Sequence, residues 1–169
     1  MNHDVLSETA TSLIIAEYSS LRDEILKRSE FRYQIVSLTL VVAGTIVTVG
    51  LQKDSSAAVL FLFPIIGCFL AGMWARNIVW TRRMTEYIRD RIESKVQVMG
   101  WETKIKNERH AVSAFLGVIS GVAFLITEII VLVLGLLKTE FSNIDIVLIA
   151  SDVIAIVLTI VILLFVIKR

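Results

Sequence analysis

The sequence predicts an all-α, integral membrane four-helix bundle built from two hairpins, with cytoplasmic amphipathic helices before span 1 and after span 2. Three observations carry this reading. First, four apolar stretches run from Tyr33 to Leu51, Ala57 to Trp80, Ala111 to Leu137 and Ile144 to Ile167. Each is of the length, roughly 20 apolar residues, that a helix needs to cross a bilayer's hydrocarbon core. Second, hydrophobic residues make up 56% of the chain and mean hydropathy is +0.76, well beyond an ordinary soluble domain. Third, the charged residues gather between these stretches, with few inside them. The 169 residues suffice for a single membrane domain, 1–169, with little mass outside it.

Basic residues set the expected orientation. Of 17 Lys and Arg, Lys53 falls between spans 1 and 2 and Lys138 between spans 3 and 4. The rest lie before span 1, from Arg76 at the end of span 2 through Arg109, or at the end, as Lys168 and Arg169. The positive-inside rule then places both termini and the central segment in the cytoplasm. Residues 1–30 carry Asp4, Glu8, Glu17, Asp23, Glu24 and Glu30. A secretory signal would open with positive charge and an apolar core, so span 1 is expected to act as the insertion signal.

The elements follow in order. Residues 4–30 predict an amphipathic helix, because Ile14, Tyr18, Leu21 and Ile25 share one helical face. Early acids and the later Lys27 and Arg28 suit the helix dipole, and Ser7 is placed to cap the start. Neither proline nor glycine separates this helix from span 1 (33–51), so the two are expected to run together. The short link Gln52–Ser56 makes spans 1 and 2 an antiparallel hairpin. Span 2 (57–80) contains Pro64, a helix-kinking residue, followed by the small residues Gly67, Cys68, Ala71 and Gly72, which admit a neighbouring helix. Trp74, Trp80 and Trp101, with Arg76, are candidate interface anchors. The segment 81–110 is charged but keeps a helical stripe of Met84, Ile88, Ile92, Val96 and Met99. It is expected to continue span 2 as a helix to Gly100, followed by a short amphipathic stretch over 102–109. Span 3 (111–137) opens with Ser113, Gly117 and Gly121, a small-residue series suited to helix packing. Span 4 (144–167) returns over the turn 138–143. The two cytoplasmic helices are expected to pack through their Tyr18/Leu21/Ile25 and Ile88/Ile92/Val96 stripes, which neither can bury alone.

Two acids inside the apolar stretches are the sharpest functional signal. Glu128 lies about nine residues from the outer end of span 3 and Asp152 about eight from the outer start of span 4, so both sit roughly 12–14 Å below the outer surface. Two carboxylates facing each other in an apolar medium do not both stay ionised, and the pair is expected to share a proton. The adjacent Thr127 and Ser151 could add hydroxyls. The functional reading is a proton or cation site, or a ring of charge in an oligomeric pore. The structural reading is interhelical glue. No basic residue is expected at that depth. Arg76 lies at the other end of span 2, where snorkelling to the surface accounts for it.

Enzyme chemistry finds no support. HExxH, GxSxG, Walker A and GxGxxG patterns are absent from the sequence, so no catalytic residue is assigned. The lone Cys68, with His3 and His110, offers no metal set. No cofactor is expected. Acids interspersed among the central basic residues argue against nucleic acid and for lipid headgroups.

The stretch Ala16–Arg28, then Phe31–Leu38, Gly100-Trp101-Glu102 and the acid-bearing spans 3 and 4 resemble a group of small, uncharacterised bacterial four-span membrane proteins. That resemblance implies no activity. Residues 5–99, read as cytosolic helix, close hairpin and cytosolic helix, are more loosely similar to SLATT-type two-span effector domains. That likeness implies a pore-forming role in bacterial conflict, though this chain adds spans 3 and 4. The leading expectation is therefore a non-enzymatic homo-oligomeric effector or channel-like assembly, in stress or phage defence. A non-conducting scaffold that recruits a cytoplasmic protein partner is the alternative, and a proton-coupled transporter is the third reading.

Overall fold

The computed structural model describes the backbone of residues 2–94 and 100–168, and the side-chain surroundings of residues 9–94, 100–104 and 119–168. The described residues form helices and contain no strand. Helix α1 spans Asn2–Gly50, α2 Ala58–Tyr87, α3 Trp101–Lys138 and α4 Asn143–Lys168; a π-helical turn, Ile88–Glu93, extends α2. Four helical stretches are long and apolar enough to cross a membrane.

The amphipathic segment and the first apolar stretch form one helix, as the absence of proline and early glycine leads one to expect. The 49 residues of α1 rise about 74 Å, more than twice a hydrocarbon core of ~30 Å. The helix is thus longer than a single crossing requires. Helix α2 passes through the buried Pro64 without breaking. Its end widens into the π turn, where the Ser94 N–H donates to the Arg89 carbonyl at 3.2 Å, five residues back. The stretch over 102–109 is no separate element, since α3 runs unbroken from Trp101 into the third apolar stretch.

The turn into α4 is built by a capping box. The Asp145 N–H donates to Ser142 Oγ at 3.3 Å, and the Ser142 N–H donates to Asp145 Oδ2 at 3.2 Å. The Thr139 hydroxyl donates to the same carboxylate oxygen at 2.8 Å. Phe141 takes the left-handed conformation, φ 57°, that lets the chain reverse here.

Helix α2 lies at the centre. It packs on α1, α3 and α4, while α1 and α4 each also pack on α3. One core cluster joins Ile35 of α1, Leu70, Ala71, Trp74 and Ile78 of α2, Phe124 of α3 and Leu163 and Val166 of α4. A second, toward the α1–α2 link, joins Ala43, Leu60, Phe63 and Val131. The outward faces carry Leu38, Val41, Phe69, Ile130, Val157 and Leu164, all exposed. An apolar exterior of this extent suits lipid as solvent.

Trp74 departs from its expected place. It is 3% exposed and meets Phe124 with ring centroids 5.8 Å apart. It falls on the face of α2 shared with Leu70, Ala71 and Ile78, which points at the other helices, so it fills the core and anchors no interface. Trp80 and Trp101 are exposed.

At the polar end, Ile88 and Ile92 are buried, and Tyr18, Leu21 and Ile25 of α1 are half-buried. Val96 and Met99 of the expected stripe lie outside the described residues. The Tyr87 hydroxyl donates to Glu17 at 2.7 Å. Arg22 forms an ion pair with Glu102 at the start of α3. Glu93 caps that same helix from outside, accepting from the Glu102 and Thr103 N–H groups at 2.9 and 3.0 Å and from the Thr103 hydroxyl at 2.9 Å. Burial by itself would raise the Glu93 carboxyl. These donors, together with the Arg22 charge, outweigh burial and hold it below the ordinary carboxylate value.

Candidate functional site

The two acids of the apolar stretches are both buried in the interior of the bundle. Glu128 of α3 and Asp152 of α4 are each 0% exposed. Their burial follows from helical phase. Phe124, Glu128 and Val131 lie at i, i+4 and i+7 on the face of α3 that packs inward. Asp152, Ala155, Thr159 and Leu163 form the matching buried row of α4.

The geometry around Glu128 involves three helices. Its Oε1 accepts a hydrogen bond from the Thr159 hydroxyl at 3.0 Å. The same carboxyl lies against Gly67 of α2: a Cβ there would come within 2.8 Å of Oε1 and 3.0 Å of Cγ. Gly67 thus opens the space that the acid occupies. Asp152 stands within electrostatic reach of Glu128. The carboxyls are not hydrogen-bonded to each other, because both Asp152 oxygens, like Glu128 Oε2, have no partner.

This arrangement refines the sequence expectation in two respects. Direct proton sharing between the two carboxyls is not the contact formed. The supporting hydroxyl is also neither of the adjacent ones. Thr127 donates to the Ala123 carbonyl and Ser151 to the Leu148 carbonyl, each at 2.7 Å within its own helix. Thr159 was legible in principle, being seven residues and two turns from Asp152 on the same face.

Three buried carboxyl oxygens without a partner are costly in any low-dielectric interior. Chemically, such a site suits a proton or a small monovalent cation that satisfies the oxygens. It offers no nucleophile–base arrangement. Among the described residues, no group of three or more His, Cys, Asp or Glu side chains is placed to hold a metal ion.

The other candidates have varied surroundings. Gly121 lies against α4, where a Cβ would come within 2.5 Å of Leu163 Cδ2. Gly72 is looser, with Ile162 Cδ1 at 3.9 Å. The surroundings of Gly117 lie outside the described residues. Two close approaches were not foreseen: Gly135 against Phe61 and Gly50 against Leu60. Arg76 is exposed. Its neighbour Asn77 is buried, donates to the Met73 carbonyl at 2.9 Å and accepts from Arg28 at 3.4 Å.

Lys138 does more than end α3. Its ammonium donates to the Gly50 carbonyl at 2.7 Å, to the Gln52 carbonyl and to Ser55 Oγ at 3.0 Å. All three ammonium hydrogens therefore have acceptors at the C-terminus of α1, where helix carbonyls lack intrahelical partners.

Compared with known proteins, the chain matches no family model, no curated protein and no solved structure.

Proposed function

We propose that this chain is a non-enzymatic, multi-pass protein of a bacterial inner membrane, with both termini cytoplasmic, that assembles into a channel-like oligomer passing protons or small monovalent cations. The observation that supports this reading is the pair of fully buried acids, Glu128 and Asp152, with three carboxyl oxygens unpartnered. Ionisable groups inside a membrane span mark ion or proton pathways by default. Because the acids face the interior of one chain, the path runs within each protomer and not along a ring at subunit contacts. A proton-coupled transporter would use the same pair.

The test is flux from proteoliposomes containing the purified full chain, across a pH series. Flux that titrates in the parent chain and vanishes in a folded Glu128→Gln/Asp152→Asn variant is the expected result. Equal flux in parent and variant would refute the reading.

A specific observation favours the scaffold reading as the second. On α1, Leu13 and Ile15 are 65% and 63% exposed, and Leu26 is 67% exposed. In the proposed topology these residues lie beyond the bilayer, where apolar exposure suits a protein partner or another copy. A folded chain that conducts nothing, yet loses self-association when Leu13 and Ile15 become Ser, would favour it.

A further inference from the structure

The arginines at the basic end divide into two groups. Arg22 pairs with Glu102, Arg28 with Glu24 and Arg89 with Asp90. Among the described residues, Arg32 and Arg82, like Arg83, form no ion pair, and Arg32 and Arg82 stand within electrostatic reach of each other. Arg32 of α1 is half-buried and donates only to Ser29 Oγ, at 3.0 Å. Arg82 of α2 is held in place because it donates to the Val166 carbonyl in the last turn of α4, at 2.8 Å.

Further positive charge surrounds this pair. Arg28, one turn before Arg32, and Arg83, next to Arg82, both lie over the Trp80 ring, at 5.8 and 5.4 Å from its centroid. Arg28 also keeps a buried Nε without an acceptor. Two like charges within electrostatic reach of each other, partly out of water, repel, and an anion between them relieves the repulsion. Guanidinium forks match the oxygens of a phosphate better than any other common anion-binding side chain.

We propose that Arg32 and Arg82, with Arg83 at the rim, bind the phosphate of an anionic phospholipid headgroup. This rests on the reading that places residues 28–32 and 80–83 at the cytoplasmic membrane surface. There the exposed Trp80 ring sits at headgroup depth, and anionic lipid offers a phosphate with net negative charge. The bound headgroup bridges α1 and α2 and, through Arg82, the end of α4.

The test uses the purified full chain. It is first reconstituted into phosphatidylcholine and phosphatidylglycerol vesicles and floated. It is then melted in detergent micelles containing either lipid, or containing inorganic phosphate alone. Failure to float in either vesicle overturns the membrane reading itself; the remaining outcomes bear on the site alone. At saturation, phosphatidylglycerol should raise the melting temperature by roughly 5 °C or more over phosphatidylcholine. Apparent affinity should fall roughly fivefold for Arg32→Gln and again for Arg82→Gln. Arg32→Lys should retain most of the effect, and Arg89→Gln, whose parent side chain already pairs with Asp90, should retain all of it. If Arg82→Gln fails to fold, Arg32→Gln alone decides, since its side chain bonds only to Ser29. The proposal is overturned if the two lipids act alike, if Arg89→Gln loses as much as Arg32→Gln, or if inorganic phosphate gives the whole shift and phosphatidylglycerol adds none.

Discussion

Replacing Gly67 by Ala tests whether the acid site is a built feature of the bundle. The new methyl would lie 2.8 Å from Glu128 Oε1, 3.0 Å from Cγ and 3.3 Å from Cδ, inside normal van der Waals separation on three atoms at once. The carboxyl is tethered to Thr159 at 3.0 Å, so it yields only by giving up that hydrogen bond or by pushing α3 away from α2. Overpacking costs about 1–3 kcal/mol, and a buried hydroxyl left without its acceptor adds about 1–3 kcal/mol. Together these give about 2–6 kcal/mol, and the better helix propensity of Ala returns about 1 kcal/mol, leaving an expected loss of about 1–5 kcal/mol. Gly72→Ala is the matched control, because its Cβ meets Ile162 at an ordinary 3.9 Å; it should be neutral or slightly stabilising. The assay is reversible unfolding in mixed micelles followed by circular dichroism. Glu128→Ala and the double variant complete the cycle. Truncating Glu128 removes the clash, so the double variant should be less destabilised than the sum of the singles. Equal effects at Gly67 and Gly72, or strict additivity of Gly67→Ala with Glu128→Ala, would refute the packing described.

Two further outcomes follow from the helix ends. Glu93 has a carboxyl held below its ordinary value, so its contribution is present above the unfolded-state pKa and is lost as pH falls through the folded value. The parent chain should thus lose stability below about pH 4.3, while Glu93→Gln should be weaker near neutrality and flatter over the same acid range, read from melts at stepped pH. Lys138→Met should cost about 1–3 kcal/mol, because it removes the charged donor shared by the Gly50 and Gln52 carbonyls and leaves each only its bond from Ser55; melts in micelles would show it, and an unchanged midpoint would count against the α3–α1 tie.

The amino-acid sequence by itself determined the class of structure. Length and apolar composition are properties of each segment alone, and they suffice to mark helices able to cross a membrane, because backbone hydrogen bonds in such a segment must be satisfied within it. The same local logic marked Glu128 and Asp152, whose charge stands out against an apolar run. Tertiary structure decided the rest, because the partners of a side chain depend on how each helix is rotated about its axis and which helix faces it. Trp74 and Trp80 are six residues apart and similar in sequence context, yet one is core and the other exposed. Gly67 and Gly72 belong to the same small-residue series, yet only Gly67 meets an acid. Thr159 is an unremarked hydroxyl in an apolar run until α3 delivers a carboxyl to it, and Lys138 is a charge at the end of an apolar run until its ammonium reaches the end of α1. In each case the deciding atom lies on a different helix, dozens of residues away in sequence, and no local pattern encodes that distance.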